Sequence, residues 1–281
     1  MSSTQLKKQK DFFWPKIVEI YQQVFSVFRK DPTVWMLFGI VALFDVGALI
    51  SLYLAPSPPF SYVIAPVIRT FWGDKFLHYP NNFILLPKLL NHAHLVISTV
   101  VGVFVSGLVI KKIEGQVVEG EHISLLEASQ PVVKKYFSLI CVWLLSYFLF
   151  VLPIEHLLPI LTKNVWLQFS IAFIFSVFIQ ALVAFLLPAL VLLEKGFFRG
   201  IWEGLSFGVR HFLTASGLIF IPMLLIAILS FFKLLTPYYL KFYHELALWV
   251  LFVGIIVMAV VDFFITSSAT ILFLKARNQE K

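Results

Sequence analysis

The chain has 281 residues, 60% of them hydrophobic and 13% charged, with a net charge of +7 and one cysteine. A soluble domain carries roughly 25% charged residues, so a water-soluble globule is excluded and much of the apolar surface must meet lipid. The lone Cys141 excludes a disulfide framework, and the basic excess flanks apolar runs with no nucleic-acid motif, so anionic lipid headgroups are the expected counter-charge and nucleic acid is not a partner.

The first segment, 1–32, is amphipathic at helical spacing. Phe13, Ile17, Ile20, Tyr21, Val24, Phe25 and Phe28 fall on one face, and Lys16, Glu19, Gln22, Ser26 and Arg29 on the other. Charged residues continue almost to the first apolar run, and Ala55-Pro56-Ser57 is a poor small-residue cleavage site, so the first run is expected to be a retained anchor.

Six apolar runs follow, at 33–54, 92–110, 137–152, 165–193, 212–235 and 246–274. Each, alone or with its flanks, can cross ~30 Å of hydrocarbon at 1.5 Å per residue. Pro188 and Pro222 are expected to kink the fourth and fifth. Between the first two runs, Phe60–Trp72 and 83–90 are apolar but short and broken by proline, and are expected at the outer interface or in a re-entrant dip. If both crossed, there would be eight spans.

The basic residues sort between alternate gaps. Sixteen of the 22 lie at the two ends and around 111–135 and 195–210; the other six are Arg69, Lys75, Lys88, Lys163, Lys233 and Lys241. Positive charge resists translocation, which places both termini in the cytoplasm. Two further cytoplasmic segments are amphipathic. One begins at a predicted capping box, Ser124 to Glu127, and the other runs from Phe197 to Phe212.

Each amphipathic segment precedes an odd-numbered span. The chain therefore reads as one polytopic domain over 1–281, with an interfacial helix in 1–32 and a threefold repeat over 11–113, 121–193 and 197–275. The competing reading is that any hairpin entering from the cytoplasm has a basic amphipathic lead-in.

Polar residues inside the spans are the candidate site. Asp45 and Asp262 lie roughly 18–20 Å from the cytoplasmic edge at 1.5 Å per residue, and Gln180 lies at a similar depth. A mid-membrane Asp costs at least ~2.5–3.5 kcal/mol, so these side chains must face the bundle or a wet cavity. One reading is a polar or proton-linked pathway between the first, fourth and sixth spans. The other is that they staple helices together at roughly 0.6–2 kcal/mol per bond. The nearby hydroxyls of Thr266, Ser267, Ser268 and Thr270 are expected to close onto their own helix carbonyls.

Gly196, Gly200, Gly204 and Gly208 form a small-residue ridge at four-residue spacing, which predicts close docking of this helix on another. Within it, Gly204 to Gly208 matches G-x-S-x-G, but a hydrolase elbow needs a strand before the serine, and the setting is helical. No catalytic residue is assigned. His78, His92, His94, His156 and His244 cluster toward the outer side with no metal-site spacing, and are expected as headgroup-level polar anchors; no metal or cofactor is expected.

The stretch Pro188-Ala189-Leu190-Val191-Leu192-Leu193-Glu194, followed by the glycine-rich helix and a new span at Phe212, resembles the membrane domain found beside glycerophosphodiester phosphodiesterases and related six-span bacterial proteins. That resemblance implies the fold only, because the family's enzymatic domain is a separate soluble barrel, and it carries no catalytic residue over.

The expectation is an all-α integral membrane bundle of the plasma (inner) membrane. It has six transmembrane helices, N-in/C-in, and three cytoplasmic amphipathic interfacial helices. It is read as a non-enzymatic transport or lipid-handling protein using the Asp45, Gln180 and Asp262 level. The alternative is a non-catalytic scaffold or partner subunit, docking a membrane protein or a second copy through the glycine ridge and the basic inner face.

Overall fold

The computed structural model describes residues 13–78, 81–120, 122–193, 196–239 and 245–280. Lys7, Lys8, Lys10, Glu194, Lys195, Lys241, His244 and Lys281, which entered the charge, histidine and resemblance arguments, lie outside them. The described residues hold helices and no strand.

Six helices are long and apolar enough to cross a membrane. The first is α2 (Thr33–Leu54), preceded by α1 (Phe13–Lys30). The second is a continuous run, Asn81–Val118, made of α4 (Asn81–Ile97), a π-helical turn at Ser98–Gly102 and α5 (Val103–Glu114). The third is α6 (Leu125–Leu152). The fourth combines α8 (Val165–Val183) and α9 (Leu186–Leu192), and a short α7 (Leu158–Leu161) precedes it. After α10 (Phe197–Arg210) come α11 (Phe212–Tyr239) and α12 (Leu246–Glu280), the fifth and sixth.

Among the described residues the candidate spans number six, not eight. α3 (Phe60–Trp72) has 13 residues, about 20 Å of helix at 1.5 Å per residue, which is too short to cross. It buries Ala65 and Ile68 against Phe76, Leu77 and Leu89 and leaves Tyr62, Val63, Val67 and Phe71 outward. Segment 83–90 is not a dip or an interfacial piece. It is the first part of the second span, as α4 runs unbroken through Pro87.

The amphipathic segment after Ser124 also differs from expectation. It is not a separate helix but the beginning of α6, which runs unbroken through Pro131. Ser124 is the N-cap, its Oγ accepting the Glu127 N–H at 3.2 Å. By contrast, α1 ends at the Asp31–Pro32 corner, where Asp31 Oδ1 accepts the Thr33 N–H at 3.1 Å. In the fourth span the helix breaks at Ala184–Phe185, as Pro188 cannot donate to the carbonyl four residues back. Pro222 leaves α11 continuous.

α5 and α12 form the middle of the bundle, each packed against α2 and α9, with α6 on α5 and α1 and α11 on α12. Ile110, Ile113, Val261, Ile271 and Leu272 are sealed there. Every span also presents large apolar side chains outward, among them Leu43, Val96, Phe137, Ile174, Leu213 and Trp249. That pattern suits a surface whose solvent is hydrocarbon.

One end of the bundle gathers cations. Lys112 Nζ lies 2.8 Å from Asp31 Oδ2, and Lys275 Nζ lies 2.6 Å from Glu19 Oε1. The Lys275 ammonium beside Glu19 holds that exposed carboxyl below the usual carboxylate range. Lys135 Nζ donates to the carbonyls of Leu190 and Leu193 at 2.8 and 2.7 Å, closing the C-terminus of α9. At the opposite end, His78 and Arg69 both bind the Asp74 carboxylate, at 2.8 Å each, and hold its carboxyl below the usual range.

Candidate intramembrane polar site

Asp45 is buried at the middle of α2, where a side chain without a partner would be costly. Its partner comes from α4: His94 Nδ1 lies 2.9 Å from Asp45 Oδ2. On the other side of the ring, His94 Nε2 lies 3.1 Å from Ser98 Oγ. His94 and Ser98 are one turn apart on the same face of the helix, so one imidazole bridges both. With Nδ1 protonated, the ring donates to Asp45. Nε2 then accepts from the Ser98 hydroxyl when the ring is neutral, or donates to it when the ring is cationic.

Asp262 lies on α12, the sixth span, which packs directly on α2. A second oxygen of Asp45, Oδ1, is buried with no hydrogen-bond partner. An orphaned buried acceptor costs about 1–3 kcal/mol, so the site is not a fully satisfied structural network.

Ser98 also opens the π-helical turn Ser98–Gly102. Such turns insert one extra residue and often occur at functional positions. Here the turn follows directly on the His94–Ser98 bond. The Ser98, His94 and Asp45 distances match those of a nucleophile, base and orienting acid. Acyl transfer also needs unpaired backbone N–H donors aimed at a developing oxyanion. Ser98 is buried within a continuous helix, whose N–H groups bond to its own carbonyls. The arrangement can hold and move a proton.

Asp45 and Asp262 lie on helices that pack on one another, α2 and α12, whereas Gln180 sits on α8, which packs against α11, α10 and α6. Of the hydroxyls near Asp262, Ser268 and Thr270 donate to the carbonyls of Ile265 and Thr266 at 3.3 and 2.7 Å. Ser267 Oγ is buried without a partner.

His94 departs from the expectation of a headgroup anchor. The second span extends eleven residues beyond 92 toward its N-terminus, which carries His94 into the bundle. His92, two residues away on a diverging face, remains exposed, with Nδ1 2.7 Å from the Lys88 carbonyl. The signal for His94 was the pair His94–Ser98 at four-residue spacing beside a helix carrying a buried Asp.

The glycine ridge docks within the chain. A Cβ on Gly204 would meet Leu186 Cα and the Phe185 carbonyl at 3.0 Å, and one on Gly208 the Leu182 carbonyl at 2.5 Å. On Gly200 it would meet the Leu190 side chain at 2.7 Å, whereas at Gly196 nothing lies within 4 Å. α10 is therefore pressed onto the broken fourth span, and three of the four ridge glycines are already covered.

The fold and the buried polar group define a polytopic α-helical membrane protein. Comparison of the chain with protein-family models, with curated proteins and with solved structures finds no match.

Proposed function

We propose that the protein is a non-enzymatic transport or lipid-handling protein of the plasma (inner) membrane, built around the Asp45–His94 pair with Asp262 on the neighbouring sixth span. The observation that carries this reading is the 2.9 Å contact of Asp45 with His94 between the first and second spans. Ionisable groups at that depth are expensive, and their usual use is in a substrate or ion pathway. The orphaned Asp45 Oδ1 also favours a working site over a staple.

Both termini lie in the cytoplasm in this reading, because Lys112, Lys135, Lys275 and Arg277 sit at the end of the bundle that carries them. α1 and α10 lie along the cytoplasmic interface and meet anionic headgroups with Arg29, Lys30, Arg199 and Arg210, all outward-facing. The likeness of 188–212 to the membrane domain beside glycerophosphodiester phosphodiesterases is carried forward as a proposal of shared fold. The scaffold reading, with a membrane-protein partner or a second copy, loses its docking ridge, since Gly200, Gly204 and Gly208 are occupied internally.

Purification from native membranes in mild detergent, followed by mass spectrometry of what remains bound, tests the reading. A transport or lipid-handling protein retains a small molecule or lipid that Asp45→Asn with Asp262→Asn releases. A scaffold instead retains a protein partner that the double variant leaves in place.

A further inference from the structure

We propose that the groove between α2 and α12, at the end of the bundle opposite the cations, binds a phospholipid whose headgroup carries an ammonium: one acyl chain lies in the groove and the ammonium meets Glu245. The site deepens the lipid-handling reading and rests on it for the use made of the bound lipid; binding itself is tested separately.

The groove is built by both helices. Leu49, Ile50 and Tyr53 of α2 and Leu248, Trp249 and Phe252 of α12 line about 360 Å³, within the roughly 300–1,000 Å³ of small-molecule sites. Its floor is fixed, because Leu49 and Leu248 pack with Leu86, Leu90, Leu251 and Ile255 where α2, α4 and α12 meet. Its walls are held too. The Tyr53 ring packs edge-on against Phe83 with centroids 5.9 Å apart, and Trp249 packs edge-on against Phe252 at 6.2 Å. Ile50 and Trp249 are 50% and 64% exposed, so the groove opens sideways at the surface of the bundle, where an acyl chain enters directly.

Charge selects the occupant. Glu245 is the one charged residue among those lining the groove, and it precedes α12 at the groove's outer end. Its carbonyl accepts the Leu248 N–H at 3.0 Å, which seats it at the start of the helix. A carboxylate there attracts an ammonium and repels an anionic headgroup. The Tyr53 and Trp249 rings add faces for a cation, and the apolar lining suits hydrocarbon. A second copy seated about a twofold axis through the groove would set two Glu245 carboxylates against one another, which disfavours a dimer contact.

The groove also has a relation to the polar site. Asp45, Leu49 and Tyr53 follow one another at four-residue spacing along α2, so the groove's inner end stands one turn, about 6 Å, from Asp45. A lipid held there sits next to the helical turn that carries the Asp45–His94 contact.

The experiment is quenching of Trp249 fluorescence by brominated acyl chains. The purified full-length protein is placed in phosphatidylethanolamine–phosphatidylglycerol vesicles in which one lipid or the other is brominated, and subtraction of Trp249→Phe isolates Trp249 from the other tryptophans. Across a series of mixtures the quenching should show a roughly two- to fivefold preference for phosphatidylethanolamine, the factor that an exposed ion pair supplies. Glu245→Gln should abolish that preference. Both substituted residues are exposed, and the comparison of the two lipids in the wild type needs no variant at Glu245. Equal quenching by the two lipids in the wild type, or a preference unchanged in Glu245→Gln, overturns the proposal. Protection of Trp249 from both lipids also overturns it, and would mean that protein covers the groove. Absence of the preference in a protein whose bound molecule is released by Asp45→Asn with Asp262→Asn removes the groove and leaves the transport reading. A preference abolished by Glu245→Gln in a protein that releases nothing on that double substitution supports the groove and removes the Asp45 site from the account.

Discussion

Lys112 Nζ lies 2.8 Å from Asp31 Oδ2, with both side chains nearly sealed from solvent. The pair joins the entrance of the first span to the end of the second. Lys112 also donates to the Ile123 carbonyl at 3.2 Å, and Asp31 Oδ1 accepts from the Thr33 hydroxyl at 2.5 Å. Removing one partner of a buried pair leaves an uncompensated charge, at a cost of about 3–5 kcal/mol. Lys112→Met should therefore lower stability by that amount in detergent, measured by thermal unfolding. Adding Asp31→Asn to it should restore most of the loss; a double variant as unstable as the single one would contradict the pairing.

The same pair sets an acid limit. Burial alone would raise the Asp31 carboxyl, but the Lys112 ammonium and the two Thr33 bonds outweigh it and hold it below the usual range. A depressed folded value means that Asp31 contributes stability above its unfolded value of ~3.9 and loses it as pH falls through the lower, folded one. Wild type should therefore lose stability relative to Asp31→Asn as the pH is taken below about 4. Parallel unfolding curves across that range would show that Asp31 is not involved.

The glycine ridge predicts a graded series. Gly208→Ala drives a methyl into the Leu182 backbone carbonyl, and Gly204→Ala into the backbone at Leu186 and Phe185. Overpacking against backbone costs about 1–3 kcal/mol. Gly200→Ala makes its one tight contact, at 2.7 Å, with the end of the Leu190 side chain rather than with backbone, and should cost less. Gly39→Ala, with nothing within 4 Å in the middle of α2, should be neutral or stabilising by up to about 1 kcal/mol. Melting temperatures ranked in any other order would mean that α10 does not sit on the fourth span this way.

Lys135 places a cation on the exposed carbonyls of α9. A charge at a helix C-terminus is worth about 0.3–1 kcal/mol, and up to ~2 when partly buried. Lys135→Met should cost in that upper range, while Lys134→Met, at an outward-facing neighbour, should cost almost nothing. Equal effects of the two substitutions in the same unfolding assay would remove the capping role.

Much of this was readable from the chain. Length and apolarity mark six spans, and the first, Thr33–Leu54, is recovered to the residue, because Pro32 and the Ala55–Pro59 segment punctuate both of its ends. Asp45 and Asp262 are legible because charge inside an apolar run is rare. What was not legible depends on tertiary packing. Pro87 made 83–90 look like a break, yet α4 continues through it and packs on α2. Gln180 shares the depth of Asp45 but not its side of the bundle, and depth along a helix says nothing about rotation between helices. His94 was read by its distance from a boundary that proved to lie eleven residues further out.

The most direct measurement of the central claim, a chain whose solvent is hydrocarbon and whose alternate connections stay on opposite sides, is accessibility labelling of Lys134→Cys and Lys163→Cys in a Cys141→Ala background. Both positions are outward-facing, Lys134 in the first part of α6 before its apolar 137–152 run and Lys163 in the connection that follows the third span. In intact, oriented membranes an impermeant thiol reagent should reach position 163 from outside and position 134 only after the membrane is opened. Labelling of both from the same side would contradict the six-span account.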